Sequence, residues 1–446
     1  SNFPVSLFPF CFISLDPQLI DDYVGMASSR EEAGGTATVE AHIPVMIVGI
    51  IAGAYMAWNI GANDVANSMA SSVGAGAITL RQALVLATVL TFLGAVFVGS
   101  HVAQTIRKGI IYSQVISDTR VILLGLLAAL LSASFWVCLA TFKNLPVSTT
   151  HSIVGAMIGI GLIGGGIKAV NWYQVLTIVF SWILSPFLSG LTAFILFRGI
   201  DRFILAKMET VTGALRTIPS LVALTIFIMS VSLFLDTPLG KRLGIDGFSA
   251  FGVSLLVGLV CLIIASLLLR AAAARGRFSK ADEIFRYLQI VTSCYVAFGN
   301  GSNDVANAMG PLAGVYFIVT HGIVAENAPV PVGLLALGGS MICFGICTWG
   351  YRVIETVGFK ITHLTSIRGF TVEFSAASVI LISSMLGLPV STTHAAVGAY
   401  VGVGLARGIE ALDVSVLWRI MLYWMITVPV AAVTAVMIFL FLQIML

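Results

Sequence analysis

Long apolar runs dominate the hydrophobic pattern of this chain. The clearest of them cover residues 121–142, 172–197, 248–269 and 414–446. A helix of about 20 apolar residues crosses a hydrocarbon core of roughly 30 Å. Pattern and length together predict an all-α, polytopic membrane protein with about 12 membrane segments.

The composition agrees with a lipid environment. Hydrophobic residues make up 58% and charged residues 10% of the 446 positions, and the mean hydropathy is +1.03. Soluble domains of this size do not reach such values. The net charge of +3 is small and the basic residues lie in short connections, so no nucleic-acid partner is expected. The six cysteines are scattered, mostly in apolar segments, and indicate packing rather than a disulfide, a zinc site or another cofactor.

Two short motifs each occur twice. Asn-Asp-Val-Ala-Asn lies at residues 63–67 and again at 303–307, and Pro-Val-Ser-Thr-Thr-His lies at 146–151 and again at 389–394. Several glycines and alanines around the motifs recur at the same spacing. The chain is therefore predicted to consist of two related halves with the same motif order.

The motif positions divide the chain into four parts. Residues 1–42 are interpreted as a processed or trimmed N-terminal extension, 43–199 as the first repeat, 200–286 as a linker and 287–446 as the second repeat. The linker holds two apolar segments and is predicted to cross the membrane twice. Basic residues flank these crossings on their outer sides: Arg198, Arg202, Lys207, Arg216, Arg270, Arg275, Arg277, Lys280 and Arg286. Both flanks then lie on one side, which the positive-inside rule assigns to the cytosol or its equivalent.

The relative orientation of the halves depends on how many segments cross. If both motif segments of the first half are re-entrant, five full crossings separate the two Asn-Asp motifs, at about 83–104, 121–142, 173–197, 219–235 and 248–269. An odd number of crossings inverts the second copy. We therefore expect two inverted repeats with re-entrant or discontinuous helices, and a site at the repeat interface near the midplane.

The Asn-Asp motif predicts a cation site. Asp64 and Asp304 lie in apolar, glycine-rich surroundings, where an ionised carboxylate is costly and normally marks a site or a pathway. An acid at the membrane boundary is the alternative, but such a residue would not need an identical neighbourhood in the other half. Carboxylate and asparagine oxygens suit a small hard cation. The candidate cation ligands are Asn63, Asp64, Asn67, Asn303, Asp304 and Asn307.

The second motif predicts an anion site. Pro146 and Pro389 can stop the preceding segment, and the Ser-Thr-Thr that follows is a good start for a helix. A helix N-terminus offers unpaired N–H groups and a favourable dipole, to which the hydroxyls add donors. Plain N-capping is the alternative, but two copies paired with two buried carboxylates favour a substrate role. The candidate anion ligands are Ser148, Thr149, Thr150, Ser391, Thr392 and Thr393.

Three further polar residues keep two interpretations each. His151 and His394 could donate to a carbonyl or to the ligand, but a histidine one turn inside a helix is as often a structural hydrogen-bonding group. Glu373 lies in an apolar run before the second anion motif, and the first half has no acid there. It could hold an additional cation or a proton, or it could sit at a membrane interface.

The two motif types must have different tasks. A carboxylate repels an oxyanion, so Asp64 and Asp304 must hold the cations that accompany the anion. Neither motif contains Lys or Arg. Two carboxylates and a divalent anion would leave a charge of about −4 near the low-dielectric midplane, so two or three sodium ions or protons are required. Obligatory coupling of cation and anion follows.

Two other functional classes compete with a coupled transporter. Ser148 and His151 together with an Asp suggest a membrane-embedded hydrolase, yet a hydrolase needs one nucleophile, one oriented base and an oxyanion hole rather than two equivalent sets. A passive channel is more often a ring of identical subunits. A twofold repeat with carboxylate ion sites favours alternating access, and the chain is predicted not to be an enzyme.

The duplicated motifs resemble those of the inorganic phosphate transporter (PiT) family, and the resemblance covers nearly everything from residue 43 to 446. It implies an all-helical fold of two inverted repeats around a central site, a homodimer in the membrane, and phosphate uptake driven by sodium or protons. By matching positions, it implies sodium at Asp64, Asn67, Asp304 and Asn307, and phosphate at the six Ser and Thr side chains named above. Sodium-coupled phosphate symport by alternating access is the resulting prediction, with proton-coupled phosphate or sulfate symport as the alternative.

The resemblance also bears on location. Animal plasma-membrane members have a long soluble loop between their halves, which this chain lacks, so it is more similar to the bacterial and plastid branches. The extension at 1–42 favours the plastid inner envelope, and a bacterial plasma membrane is the alternative.

Overall fold

The structure is a computed structural model that describes residues 36–112, 114–116, 118–143, 145–202, 211–235, 237–322, 330–360, 365–408 and 414–445. The first 35 residues of the predicted N-terminal extension lie outside the described part. The first helix already begins at Thr36, which is seven residues before the predicted start of the first repeat. The division of the chain at 42, 199 and 286 stays a prediction.

Fourteen α-helices make up almost all regular structure in the described residues. They are α1 (Thr36–Gly74), α2 (Leu80–Val98), α3 (Ser100–Gly109), α4 (Thr119–Phe142), α5 (Thr149–Gly165), α6 (Trp172–Ile200), α7 (Val211–Phe234), α8 (Pro238–Arg242), α9 (Gly247–Ala274), α10 (Ala281–His321), α11 (Val332–Lys360), α12 (Ser366–Met385), α13 (Thr392–Arg407) and α14 (Val414–Met445). Within these ranges, 9 helices have the length and composition to cross a membrane. The all-α, polytopic class is confirmed, and the number of about 12 segments stays a prediction.

The two helices that carry the Asn-Asp motifs, α1 and α10, run antiparallel. A Cβ built on Gly53, early in α1, would lie 2.8 Å from Cδ2 of Leu312, late in α10. At the opposite end, Arg286 near the start of α10 donates from Nε to the carbonyl oxygen of Ala77, just after α1, at 3.0 Å. The motif copies therefore point in opposite directions, which is the geometry expected of inverted repeats.

The expectation that the Asn-Asp segments are re-entrant is wrong. Asp64 lies well inside the 39-residue α1, and Asp304 lies well inside the 41-residue α10, and neither helix is interrupted at the motif. The motif contains no proline, and its alanines are good helix formers. Its polar side chains can reach their partners while the backbone keeps its helical hydrogen bonds, so the motif does not need a break.

Helices α4 and α5 form a hairpin that enters and leaves on one side. The segments beyond their outer ends are joined by Tyr112 N–H to Ala169 O at 2.8 Å and by Asn171 N–H to Ile110 O at 2.9 Å. The segment 121–142 is thus one arm of a hairpin that returns to the end where it began. It also has the length and composition of a membrane span, so its crossing stays a prediction. The chain breaks between the arms at the Pro-Val-Ser segment, as the sequence predicts.

Helices α12 and α13 form the equivalent hairpin of the second half. Gly369 near the start of α12 faces Gln289 near the start of α10, so α12 begins at the same end of the molecule as α10. Helix α13 returns to that end alongside α6, with backbone so close that a Cβ on Gly398 would overlap Pro186 O. This hairpin thus enters from the end opposite to the α4–α5 hairpin.

The predicted two-helix linker corresponds to α7 and α9, which pack against each other. A Cβ on Gly258 of α9 would lie 3.2 Å from the carbonyl oxygen of Ala223 on α7. Most large side chains on α9, such as Phe248 and Leu268, are exposed. An apolar face of this kind is expected on a helix that contacts lipid.

Gly61→Ala is expected to destabilise the fold, because a Cβ there would overlap the carbonyl oxygen of Ile342 on α11. Gly301→Ala would meet Thr91 O of α2 in the same way. Small residues allow such close helix contacts, and overpacking them costs about 1–3 kcal/mol or more. The thermal midpoint of the detergent-solubilised protein measures this loss. Gly252→Ala is the control, since its Cβ would meet no described atom within 4 Å. Equal midpoints for Gly61→Ala and the control would contradict the close approach.

Candidate functional site

Two buried carboxylates mark the centre of the site. Asp64 is 3% exposed and Asp304 is 2% exposed. Each accepts a hydrogen bond from a threonine at the tip of the hairpin of its own half. Thr149 Oγ1 donates to Asp64 Oδ2 at 2.9 Å, and Thr392 Oγ1 donates to Asp304 Oδ2 at 3.4 Å. The cation motif and the anion motif of each half are therefore in direct contact.

The asparagine that ends each Asn-Asp motif binds the threonine pair of the other half. Its side-chain amide donates to two threonine hydroxyl oxygens. The four bonds join Asn67 to Thr392 and Thr393 at 3.4 and 3.0 Å, and Asn307 to Thr149 and Thr150, both at 3.2 Å. The predicted ligands of both halves thus form one connected network.

The tips of the two hairpins meet inside this network. Thr150 Oγ1 donates to the carbonyl oxygen of Val390 at 3.0 Å. Thr393 Oγ1 makes the equivalent contact with Val147 O at 3.5 Å. The N-termini of α5 and α13, which approach from opposite ends of the molecule, therefore converge on one small region.

The first serine of each anion motif caps its helix. Ser148 Oγ accepts from the N–H of His151, and Ser391 Oγ accepts from the N–H of His394, both at 3.2 Å. These two hydroxyls therefore have the capping role that the sequence offered as the alternative. The N–H groups of the two threonines between cap and histidine precede the first helical hydrogen bond, so they have no partner within the helix.

Asn63 and Asn303, both predicted cation ligands, hold the hairpin loops. Asn63 Nδ2 donates to Leu145 O at 3.1 Å, and its Oδ1 accepts from the N–H of Val147 at 3.2 Å. Asn303 Nδ2 donates to Leu388 O at 3.2 Å. These bonds fix the loops against α1 and α10, and a role for either side chain as a cation ligand stays a prediction.

Several buried side-chain oxygens at the site accept no hydrogen bond from any described residue. They are Oδ1 of Asp64, Asp304, Asn300, Asn303 and Asn307. Asn300, which the sequence did not single out, is held beside the first motif because its Nδ2 donates to the backbone oxygen of Asp64 at 3.3 Å. Buried oxygens of this kind normally have a partner. A set of bare carboxylate and amide oxygens is the ligand set of a hard cation.

The site has little positive charge of its own. In the hydrogen bonds that the described residues form around Asp64 and Asp304, no lysine or arginine takes part. Two buried carboxylates without a cationic partner are costly in a medium of low dielectric constant. The geometry therefore agrees with the expectation that mobile cations supply the missing charge.

Glu373 is enclosed by protein in the middle of α12 and is 2% exposed. Its carboxylate is surrounded by hydroxyls from α1 and α10. The donors are Ser71, Ser72 at 3.3 Å, Thr292 at 2.6 Å and Ser293 at 3.0 Å. A role for Glu373 as a cation or proton site stays a prediction.

Both histidines of the anion motifs make structural hydrogen bonds. His151 Nδ1 lies 3.4 Å from Trp424 O, and His394 Nδ1 lies 3.3 Å from Trp182 O. The Ser148 hydroxyl bonds the backbone of His151 rather than its ring. The side chains therefore lack the nucleophile–base contact that a hydrolase requires.

Some site residues were not predicted, although part of the signal was present in the sequence. Trp182 and Trp424 lie within one residue of the spacing between the two Pro-Val-Ser-Thr-Thr-His copies. Thr141 and Ser384, which receive bonds from Asn63 and Asn303, lie at that spacing. Asn300 and the hydroxyl residues that donate to Glu373 have no counterpart in the other half. A search limited to repeated residues cannot find them.

Comparison with known proteins agrees with this geometry. The sequence profile of the Phosphate transporter family matches residues 60–435. The chain belongs to this family. A Pyrococcus furiosus relative provisionally named a phosphate permease is 46% identical over 89% of this chain and 96% of its own length. Inorganic phosphate transporter 2-1, chloroplastic, of Arabidopsis thaliana is 39% identical over 87% of this chain and 70% of its own length.

A solved structure has the same fold. It is titled "The sodium-dependent phosphate transporter", is 43% identical, and superimposes with a TM-score of 0.85 over 90% of this chain and 100% of its own. The family resemblance seen in the motifs is therefore confirmed. As a member of a transporter family, the chain is an integral membrane transporter and not an enzyme, so the hydrolase alternative is wrong.

Proposed function

We propose that the chain is a sodium-coupled symporter of inorganic phosphate that works by alternating access. The observation that carries this proposal is the crossed network at the centre, in which Asn67 and Asn307 each bind the threonine pair of the opposite half. A network that spans both halves can bind ligand only when both halves are in place. The sodium-dependent phosphate transporter with the same fold supports sodium as the coupling ion.

Phosphate would bind between the hairpin tips. The N-termini of α5 and α13 each present two N–H groups without a helical partner, and both helix dipoles favour negative charge there. Thr150 and Thr393 are close enough to bridge the tips. The proposed phosphate-binding set remains Ser148, Thr149, Thr150, Ser391, Thr392 and Thr393, with the two serines acting mainly by capping.

Sodium would bind at the bare oxygens of the Asn-Asp motifs, and a shared hydroxyl would couple it to phosphate. The Thr149 hydroxyl donates a hydrogen bond to the Asp64 carboxylate in this structure. When sodium occupies the Asp64 carboxylate, that hydroxyl loses part of its acceptor and can turn to the phosphate. Thr392 and Asp304 form the same switch in the other half. Cation binding thus prepares the anion site, and the bound cations offset the charge that would repel the anion.

Alternating access would follow from the opposed hairpins. One enters from the end where α10 begins and the other from the opposite end, and their tips meet at the site. Helices α1 and α10 run antiparallel, as inverted repeats require. Movement of one hairpin would open the site to one side only. The homodimer implied by the family resemblance is also part of this proposal, and the mass of the purified protein in detergent tests it.

The proposal is tested by uptake of labelled phosphate into proteoliposomes under a sodium gradient, a proton gradient or neither. Accumulation above the external concentration with the sodium gradient is the expected result. Accumulation with the proton gradient alone would replace sodium by protons, and simple equilibration would indicate a passive channel. Excess sulfate that competes as well as unlabelled phosphate would show that sulfate is also a substrate.

Glu373 is proposed to hold an additional cation or a proton. Its contacts on α1 lie about two turns, or roughly 10 Å, from Asp64 along the helix, towards the end where α10 begins. Four hydroxyls and a carboxylate provide enough oxygens for a small hard cation. Gln289 lies one turn before Thr292 and Ser293 on α10. It is buried, and its side-chain amide has no hydrogen-bond partner among the described residues.

Glu373→Gln is expected to remove one coupled positive charge per phosphate while uptake continues. The reversal potential of sodium-driven phosphate uptake in proteoliposomes measures this stoichiometry. Glu283→Gln is the control, because Glu283 is exposed and only caps α10. If the stoichiometry of Glu373→Gln matches that of the parent at every pH, Glu373 is not a coupling site.

For location, we propose the plastid inner envelope if the source is eukaryotic, and the bacterial plasma membrane otherwise. The chloroplastic Arabidopsis relative supports the first choice. Imaging of the full-length protein fused to a fluorescent protein, in cells of its own source, distinguishes the two.

A further inference from the structure

Four aromatic rings form a cluster where the two halves meet. The ring centroids of His151 and Trp182 are 3.7 Å apart, and those of His394 and Trp424 are 3.5 Å apart. The two histidine rings themselves meet edge-to-face at 4.4 Å. The cluster follows directly after the threonine pairs, because His151 and His394 are the third residues of α5 and α13.

The contacts in this cluster are crossed. The His151 ring packs against Trp182 of α6 but places Nδ1 at 3.4 Å from Trp424 O of α14. His394 stacks on Trp424 but places Nδ1 at 3.3 Å from Trp182 O. Each histidine thereby touches both α6 and α14. Since a carbonyl only accepts, each Nδ1 carries a proton in this arrangement.

The sequence leaves one of these carbonyl oxygens, that of Trp182, without a hydrogen-bond donor from its own helix. Pro186 lies four residues after Trp182 and has no N–H, so Trp182 O has no helical hydrogen bond to make. His394 supplies the missing donor. In addition, Trp182 Nε1 donates to Pro389 O at 3.3 Å, which ties the tip of the second hairpin to α6.

We propose that His151, His394, Trp182 and Trp424 form a joint that positions the two hairpin tips against each other, so that both threonine pairs face one phosphate. These are positioning residues, and they do not contact the substrate. The inference rests on the proposed function, since it assigns the joint to the phosphate site. It predicts that loosening the joint weakens phosphate binding without removing any phosphate ligand.

The first test compares His394→Asn with His394→Leu in proteoliposomes. Asparagine can place an N–H near the position of Nδ1, whereas leucine fills space without a donor. Because the leucine variant loses a buried hydrogen bond, we expect it to raise the KM for phosphate about tenfold, with the maximal rate much less affected. The asparagine variant should stay close to the parent. Equal KM values for the two variants would overturn the proposal that the joint positions the hairpin tips.

The second test uses Pro186→Ala, which keeps every side chain of the joint. The new N–H at position 186 competes with His394 for Trp182 O. Replacing a proline inside a helix ordinarily favours the helix, so a purely structural role predicts an equal or higher thermal midpoint and an unchanged KM. The joint predicts an equal or higher midpoint with a raised KM. An unchanged KM would contradict it even if the leucine variant fails to fold.

Parent protein measured in parallel separates the two proposals. If the parent does not accumulate phosphate under any gradient, the proposed function fails. If the parent accumulates phosphate and neither His394→Leu nor Pro186→Ala changes the KM, only the joint fails.

Discussion

Asp64→Asn is expected to weaken the sodium dependence of phosphate uptake strongly. The carboxylate is 3% exposed, and its Oδ1 accepts no hydrogen bond from the described residues, so it is available to a cation. Removing one partner of a buried charge pair costs about 2–5 kcal/mol, so the sodium concentration for half-maximal uptake should rise about a hundredfold. The preference for phosphate over sulfate should change much less. Uptake as a function of sodium concentration, with and without sulfate, measures both effects.

Asp304→Asn should behave in the same way, because Asp304 occupies the matching position in the other half. Asp246→Asn is the matched control, since Asp246 is exposed and caps α9, and asparagine is an equally good cap. A variant of Asp64 with normal sodium activation and altered anion choice would show that the two motif types have been assigned the wrong way round.

Thr149→Val is expected to weaken phosphate binding strongly, and Thr149→Ser is expected to preserve it. Valine has nearly the same shape as threonine but lacks the hydroxyl, which donates to Asp64 and accepts from Asn307. The change removes a proposed phosphate donor and leaves a buried amide N–H without its acceptor. Each such loss costs about 1–3 kcal/mol, so the KM for phosphate should rise at least about tenfold. Serine keeps the hydroxyl.

Initial rates of phosphate uptake at saturating sodium give the KM of both variants. The same pair at Thr392 provides an internal replicate, because Thr392 contacts Asp304 and Asn67. Valine and serine variants with equal KM values would exclude the hydroxyls as phosphate donors. A loss of sodium activation in the valine variant, together with normal phosphate affinity, would place Thr149 at the cation site instead.

The hairpin tips were largely predictable from the sequence. Proline at 146 and 389 favours the end of a helix because it lacks an N–H, and the Ser-Thr-Thr that follows is a standard helix start. Both are local effects, so the pattern predicts them without knowledge of the fold. The Asn-Asp segments were misjudged because a polar motif in an apolar run resembles a break, although its residues are compatible with a continuous helix.

Counting crossings showed a similar limit. The segment 121–142 is long and apolar enough to span a membrane, yet it is one arm of a hairpin whose two ends lie together. The length of an apolar run indicates only that the helix is kept away from water. It does not distinguish a helix surrounded by lipid from one enclosed by other helices, and the described part of α4 is mostly buried in protein.

The sequence by itself determined the membrane environment, the two halves and the chemistry of both motifs, because each follows from residue type and local spacing. Only the tertiary structure decided which residues meet. Asn67 binds threonines that lie in the other half of the chain, Glu373 is enclosed by hydroxyls from α1 and α10, and each histidine bonds the tryptophan backbone of a distant helix. Such contacts depend on how helices pack across the whole chain, and no local pattern encodes them.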